Sequence, residues 1–198
     1  MNNLDEAKTQ ACPIDAGILH KNHANGHIGY MHRSEGLKLV ARSVRKEIEG
    51  LIKPGSVILD FGCGAGHYCS FLDKYASKLY CVDINDDALL ETKSAVPRAI
   101  TMKDTLGIDA NSVDLVLFAN SFHDIRDKDK VVAEIGRILG NGGRIVILDW
   151  KKEEMESGPP YRLRMSESDY MESFSGYVIL GRFKTPSTHF GIVLARAK

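Results

Sequence analysis

Long apolar runs are missing from this sequence. The longest are strand-sized, far short of the roughly 18–20 residues that a membrane-spanning helix needs. Charge of one sign is not in excess either: Lys plus Arg number 26, Asp plus Glu number 26, and the net charge is zero. That removes the strongly basic signature of a chain that lives on nucleic acid. Cysteine is scarce, and no two of Cys12, Cys63, Cys69 and Cys81 have C-x-x-C spacing. A disulfide framework is not expected in this context, and all four thiols are read as reduced. Internal repeats and low-complexity tracts are also lacking. The N-terminus is polar and carries acids, unlike a secretory signal or a transit peptide. What is left is one soluble, cytoplasmic domain of 198 residues, 43% hydrophobic, long enough for a sizeable core.

The first thirty or so residues have no sustained hydrophobic period. From Ser34 the pattern changes: Leu37, Val40, Ala41, Val44, Ile48 and Leu51 recur at three- and four-residue steps, which predicts a helix capped by Ser34 and stopped at Lys53-Pro54-Gly55. The apolar run Val57-Ile58-Leu59-Asp60-Phe61 predicts a strand running into Gly62-Cys63-Gly64-Ala65-Gly66. A helix over 67–76, a strand over 79–82 ending at Asp83, a helix opened by Asp86-Asp87 and strands over 99–102 and 113–119 follow. A helix over 127–139 carries Val131, Val132, Ile135 and Ile138 inward. The turn Gly140-Asn141-Gly142-Gly143 then offers residues that accept positive φ cheaply, before a strand over 144–150. Strands apolar on both faces and separated by helices imply a parallel sheet covered on both sides. A last helix capped by Ser166, then strands over 177–183 and 189–195 joined by a short loop, finish it with an antiparallel hairpin. The fold class is α/β.

In such a sheet, ligands bind beyond the carboxyl ends of the strands, where strand order reverses. Gly62, Gly64 and Gly66 allow a tight turn and close approach of backbone to a ligand. Asp83, ending the next strand, can accept hydrogen bonds from both hydroxyls of a ribose. Together they indicate an adenosine-type ligand. The plainer alternative is glycines that merely pack helix on strand and an Asp83 that caps the next helix.

The run Val57 to Gly66 resembles the first motif of the class I S-adenosylmethionine-dependent methyltransferases, an acid followed by G-x-G-x-G. The nicotinamide fingerprint would need a third glycine where His67 stands. The resemblance extends over Asp83, the strand 114–119 with Asn120, the turn 139–143 and the terminal hairpin, and is closest to the small-molecule, ubiquinone/menaquinone-type ("type 11") branch. Gly140-Asn141 departs from the Lys-Pro common there. The resemblance implies a Rossmann-like seven-stranded sheet over residues 34–198, with 1–33 as a flexible lid. It implies S-adenosyl-L-methionine as cofactor, with Gly62, Gly64 and Gly66 lining its methionine portion and Asp60 beneath. Asp83 would hold the ribose, Ile84 cover the adenine, Asp104 and Thr105 face the adenine amino group, and Asn120 lie near the cofactor's amino group.

Methyl transfer from a sulfonium is an in-line displacement that mainly asks for alignment and dryness. A base is needed only when the nucleophile must lose a proton. His123, in the loop after the fourth strand, titrates in the useful range and is the expected base or substrate ligand; otherwise it caps the neighbouring helix or pairs with Asp124. Phe122, Trp150 and Tyr30 are the expected substrate contacts. His20, His23, His27 and His32 raise the idea of a metal, but Asn25 and Gly26 argue against a rigid helix there, and no metal is expected. The expected partner is a small-molecule methyl acceptor, with no nucleic acid and no membrane. A non-catalytic S-adenosylmethionine-binding protein and a nicotinamide-dependent oxidoreductase are the competing readings.

Overall fold

The computed structural model describes residues 27–84 and 106–198. Among them six strands form one sheet in the order β2-β1-β3-β4-β6-β5. They are β1 (Ser56–Phe61), β2 (Ala76–Val82), β3 (Val113–Ala119), β4 (Leu139–Trp150), β5 (Tyr177–Arg182) and β6 (His189–Arg196). Pairing is parallel from β2 through β4, while β6 runs antiparallel to both β4 and β5. The mostly parallel sheet with a terminal antiparallel hairpin is therefore as expected. The strand read over 99–102 and the helix opened by Asp86-Asp87 lie outside the described residues, as does most of the segment 1–33.

Period-two alternation divides the core between the two faces of the sheet. Ile58, Leu115, Leu117, Val146 and Leu148 point to one face. There they meet Ala41, Val44 and Ile48 of α1 (His27–Glu49) and Cys69, Phe71 and Leu72 of α2 (Cys69–Leu72). Leu59, Val116, Phe118, Ile145 and Ile147 point to the other. Their partners are Val131, Ile135 and Ile138 of α3 (Lys128–Ile138) and Tyr170 of α4 (Glu167–Ser173). Asp127 caps α3 by accepting from the Lys130 N–H at 3.1 Å, and Ser166 with Asp169 forms a reciprocal capping box on α4.

Three boundaries differ from expectation. Helix α1 begins at His27, so Ser34 is internal rather than a cap; with no proline between His27 and Lys53, the internal glycines cost only about 1 kcal/mol each. Helix α2 has four residues instead of spanning 67–76. After Leu72 the chain tightens into three-residue turns, with Tyr75 N–H donating to the Leu72 carbonyl at 3.0 Å, and β2 starts at Ala76. Strand β4 begins at Leu139 and absorbs the predicted turn as an irregularity, in which Val113 faces Leu139 but Leu115 already faces Arg144. Gly142 (φ 77°) supplies its positive φ.

Candidate functional site

The chain visits β1 and β2 on one side and then crosses to β3 on the other, so strand order reverses between β1 and β3. The glycine loop sits at that point. Gly62, Gly64 and Gly66 all have positive φ (77°, 51° and 73°), a region that side chains with a Cβ avoid. At Gly62 the requirement is also steric, since a Cβ would lie 2.4 Å from the Ser121 Cβ. Ser121 in turn donates its hydroxyl to the Phe61 carbonyl at 2.6 Å, tying the end of β1 to the end of β3. Gly62 and Cys63 both donate to the Val82 carbonyl, at 2.7 and 3.0 Å. Asp83 reaches back into this loop, its Oδ2 accepting from the Gly64 N–H at 2.7 Å. Ile84, next to it, is half-buried.

Asp60 is buried under the loop at 1% exposure. Burial, with the nearby Asp83 charge adding to it, pushes its carboxyl up to about 8. A carboxyl with a raised folded-state value binds more protons folded than unfolded, so it lowers stability as pH rises from the ordinary carboxylate range toward that value. Thermal unfolding midpoints are accordingly expected to fall between about pH 4 and pH 8, with Asp60→Asn flattening that slope; an unchanged slope in the variant would assign the decline to other groups.

The second half of the site lies at the ends of β3 and β4. Asn120 adopts a positive φ of 55°, and both polar atoms of its side chain are buried without a hydrogen-bond partner among the described residues. His123, in a short 3₁₀ turn (Phe122–Asp124), is buried. Its Nδ1 lies 2.8 and 2.9 Å from the two carboxylate oxygens of Asp149, and its Nε2 faces Asp124 at 3.5 Å. Burial pushes the imidazole down, but the charge and hydrogen bond of Asp149, with Asp124 assisting against Lys128, outweigh it and hold the group above its ordinary value. Asp149 also accepts from the Tyr170 hydroxyl and from the Trp150 N–H (2.7 Å). His189 stacks on Trp150 with ring centroids 4.2 Å apart; burial pushes it down to about 4.

The expected residues separate clearly. Asp60, the three glycines, Asp83, Ile84, Asn120 and His123 gather around the ends of β1, β2 and β3. Phe122 is a correction: it is fully buried, with ring centroids 5.1 Å from Phe118, 5.2 Å from Tyr170 and 5.0 Å from Phe174, so it fills the core instead of walling a pocket. Trp150 packs between His189 and the Arg164 guanidinium, with Gly158 against its ring. Tyr30 falls in α1, whereas Asp104 and Thr105 lie outside the described residues. Asp149, Tyr170 and Tyr68 escaped the sequence reading. For Asp149 a signal was present, because it is the penultimate residue of an apolar strand just as Asp60 is of β1.

The cysteines need a second correction. Cys69 and Cys81 are joined by a disulfide, their Cα atoms 6.8 Å apart, so these two are not reduced thiols. Helix α2 packs on β2 and brings together residues separated by 12 positions, which spacing rules do not anticipate. Cys63 is a buried free thiol beside them.

Residues 59–147 match a family model described as a methyltransferase domain. A solved structure from Sulfolobus solfataricus, assigned to the type 11 methyltransferases, is 50% identical and superposes with a TM-score of 0.67, covering 73% of this chain and 85% of that one. A SAM-dependent methyltransferase from Aquifex aeolicus shares the fold at a TM-score of 0.73 and 22% identity, over 87% of this chain and 100% of that one. The chain thus belongs to the class I S-adenosylmethionine-dependent methyltransferases of the type 11 branch. Among curated proteins, the ubiquinone/menaquinone biosynthesis C-methyltransferase of Hydrogenovibrio crunogenus is 29% identical over 118 residues, 54% of this chain and 46% of the relative. The chain spans about half the length of the curated relatives it matches. Among the described residues no helix is long and apolar enough to cross a membrane.

Proposed function

We propose that this chain is an enzyme that moves the methyl group of S-adenosyl-L-methionine onto a small-molecule acceptor, in the cleft over the carboxyl ends of β1, β3 and β4. The observation that carries this reading is the glycine loop: three glycines at positive φ turn the backbone at the switch point of the sheet, and at Gly64 the space a Cβ would take is open. The fit of the cofactor rests on this cradle and on the Asn120 amide, whose two buried polar atoms have no partner among the described residues, which is costly unless a ligand satisfies them. Gly62, Gly64, Gly66 and Asp60 would hold the methionine portion, Asp83 the ribose, Ile84 with Asp104 and Thr105 the adenine, and Asn120 the amino group. Asp83 accepts from the Gly64 N–H, and its carboxylate is of the kind that takes hydrogen bonds from a ribose diol. Bound there, the cofactor supplies a methyl group already activated by its positive sulfur. The protein's own residues then align the acceptor, exclude water and, through His123, receive a proton; Trp150 and Tyr30 are the proposed acceptor contacts. The balanced charge, 26 basic against 26 acidic residues, favours a small-molecule acceptor over nucleic acid, and the cytoplasm is the proposed location.

Titration calorimetry with S-adenosylmethionine, S-adenosylhomocysteine and NAD tests the reading. Binding of either sulfur nucleoside, and not of NAD, is the expected result; failure to bind both sulfur ligands would reject it. Asp83→Ala is expected to weaken that binding by about 1–3 kcal/mol, the scale for losing charge-assisted hydrogen bonds. An unchanged dissociation constant would mean that the ribose is held by other groups.

A further inference from the structure

Asp149 is a buried hub on which the polar groups at this end of the sheet converge. It is 1% exposed. Both of its oxygens lie within hydrogen-bond distance of His123 Nδ1, and it accepts from the Tyr170 hydroxyl and the Trp150 N–H as well. Such a carboxylate has no room to turn, so the imidazole is held with its proton on Nδ1 and its Nε2 directed away from Asp149. The nearest acidic neighbour of Nε2 is the partly exposed Asp124 at 3.5 Å, longer than a good hydrogen bond. A buried ion pair is weak evidence of a stabilising purpose by itself, because desolvation cancels much of the attraction. A second observation points to a ligand. The Tyr68 hydroxyl and His189 Nε2, both buried and both within the electrostatic reach of Asp149, have no hydrogen-bond partner among the described residues. Of the two, His189 also feels the charge of His123, and buried polar atoms left without a partner are costly unless a polar molecule satisfies them.

We infer that His123 and Asp149 form the proton-accepting pair of this cleft, with His123 taking the proton and Asp149 and Tyr170 positioning the ring, and that the methyl acceptor is a nucleophile that loses a proton as it is methylated, at oxygen, nitrogen or an activated ring carbon. This rests on the methyl-transfer reading above. In the step itself the acceptor's nucleophilic atom forms a bond to the methyl carbon as the carbon–sulfur bond breaks, its electron pair staying on sulfur. The acceptor's proton passes to His123 Nε2, and from the imidazolium to solvent. An acceptor with no proton to lose, a thioether or a tertiary amine, would have no use for this pair.

The test uses the full chain. Nitrogen-15 NMR titration of the His123 ring, assigned by comparison with His123→Gln, reports its tautomer and midpoint without any acceptor. The expected wild-type result is an Nδ1–H tautomer titrating above an ordinary histidine. In Asp149→Asn the midpoint should fall by at least one pH unit, a tenfold or greater loss of proton affinity. Tyr170→Phe, which removes only the hydroxyl, keeps the pair testable should the first variant fold poorly; it should change the midpoint by a smaller, measurable amount. The other groups facing this ring are Asp124, Lys128 and His189, and Asp124→Asn serves as the control for their influence. An Nε2–H tautomer, or a midpoint indifferent to Asp149, would overturn the pair. Turnover against phenols, amines and thioethers should be confined to the protic compounds, with kcat but not KM falling in Asp149→Asn; methylation of the thioethers alone would overturn the acceptor class. Wild-type protein that does not bind S-adenosylhomocysteine would overturn the methyl-transfer reading beneath, whereas bound product together with an Asp149-independent His123 would overturn the pair alone.

Discussion

Phe122→Ala is expected to lower the stability of the protein by about 3–5 kcal/mol, the cost of emptying a fully packed phenylalanine site. Urea denaturation checks it through the midpoint at constant slope. The magnitude follows from what the ring touches: Phe118, Tyr170 and Phe174 surround it, all fully buried, and the Lys128 ammonium lies 5.6 Å from its centroid. Because Tyr170 also holds Asp149, the cavity should loosen the carboxylate behind His123. A pocket-wall residue would behave differently. Its loss would raise KM or weaken ligand binding while leaving the unfolding midpoint within about 0.5 kcal/mol of wild type, and that result would return Phe122 to the cleft.

Arg164→Ala carries the second large effect. The guanidinium is buried at 4% exposure and donates to three backbone carbonyls, those of Pro159 (2.9 Å), Glu153 (2.8 Å) and Ser157 (2.7 Å). It therefore gathers the whole connection between β4 and α4 into one loop and lays it over Trp150. Hydrogen bonds from a charged donor are worth about 1.5–3 kcal/mol each and do not sum fully when they share one side chain, so a loss of about 2–4 kcal/mol is expected. Hydrogen exchange should accelerate most in residues 151–163 and only slightly in β1 and β3. Uniform acceleration across the sheet would show that the arginine supports the core as a whole. Arg164→Lys should rescue little, since an ammonium cannot spread its donors across three divergent acceptors.

The parts of the fold legible in the sequence are those with local causes. Strand β3 carries four successive apolar residues, Leu115 to Phe118, buried on both faces; the capping box on α4 is written in Ser166 and Asp169; the loop glycines announce backbone that no other residue adopts cheaply. The misreadings have non-local causes. The apolar spacing of Phe71, Leu72 and Tyr75 suits a helix, yet β2 claims the chain from Ala76 and leaves room for four helical residues. Gly140 to Gly143 reads as a turn by composition, but pairing with β3 on both sides absorbs it into β4. Phe122 next to His123 suggests a shared role, whereas a tight turn sends one ring into the core and the other against Asp149. Asp149 itself is visible as an acid at a strand end. Its bonds to His123 and Tyr170 join residues 26 and 21 positions apart, and no local pattern records such contacts.

The missing Cβ of Gly62, with the Ser121 side chain seated where it would be, sets how closely the first and third strands approach at their tips. That flank of the cleft is inelastic, held by a pair of positions that can change only together.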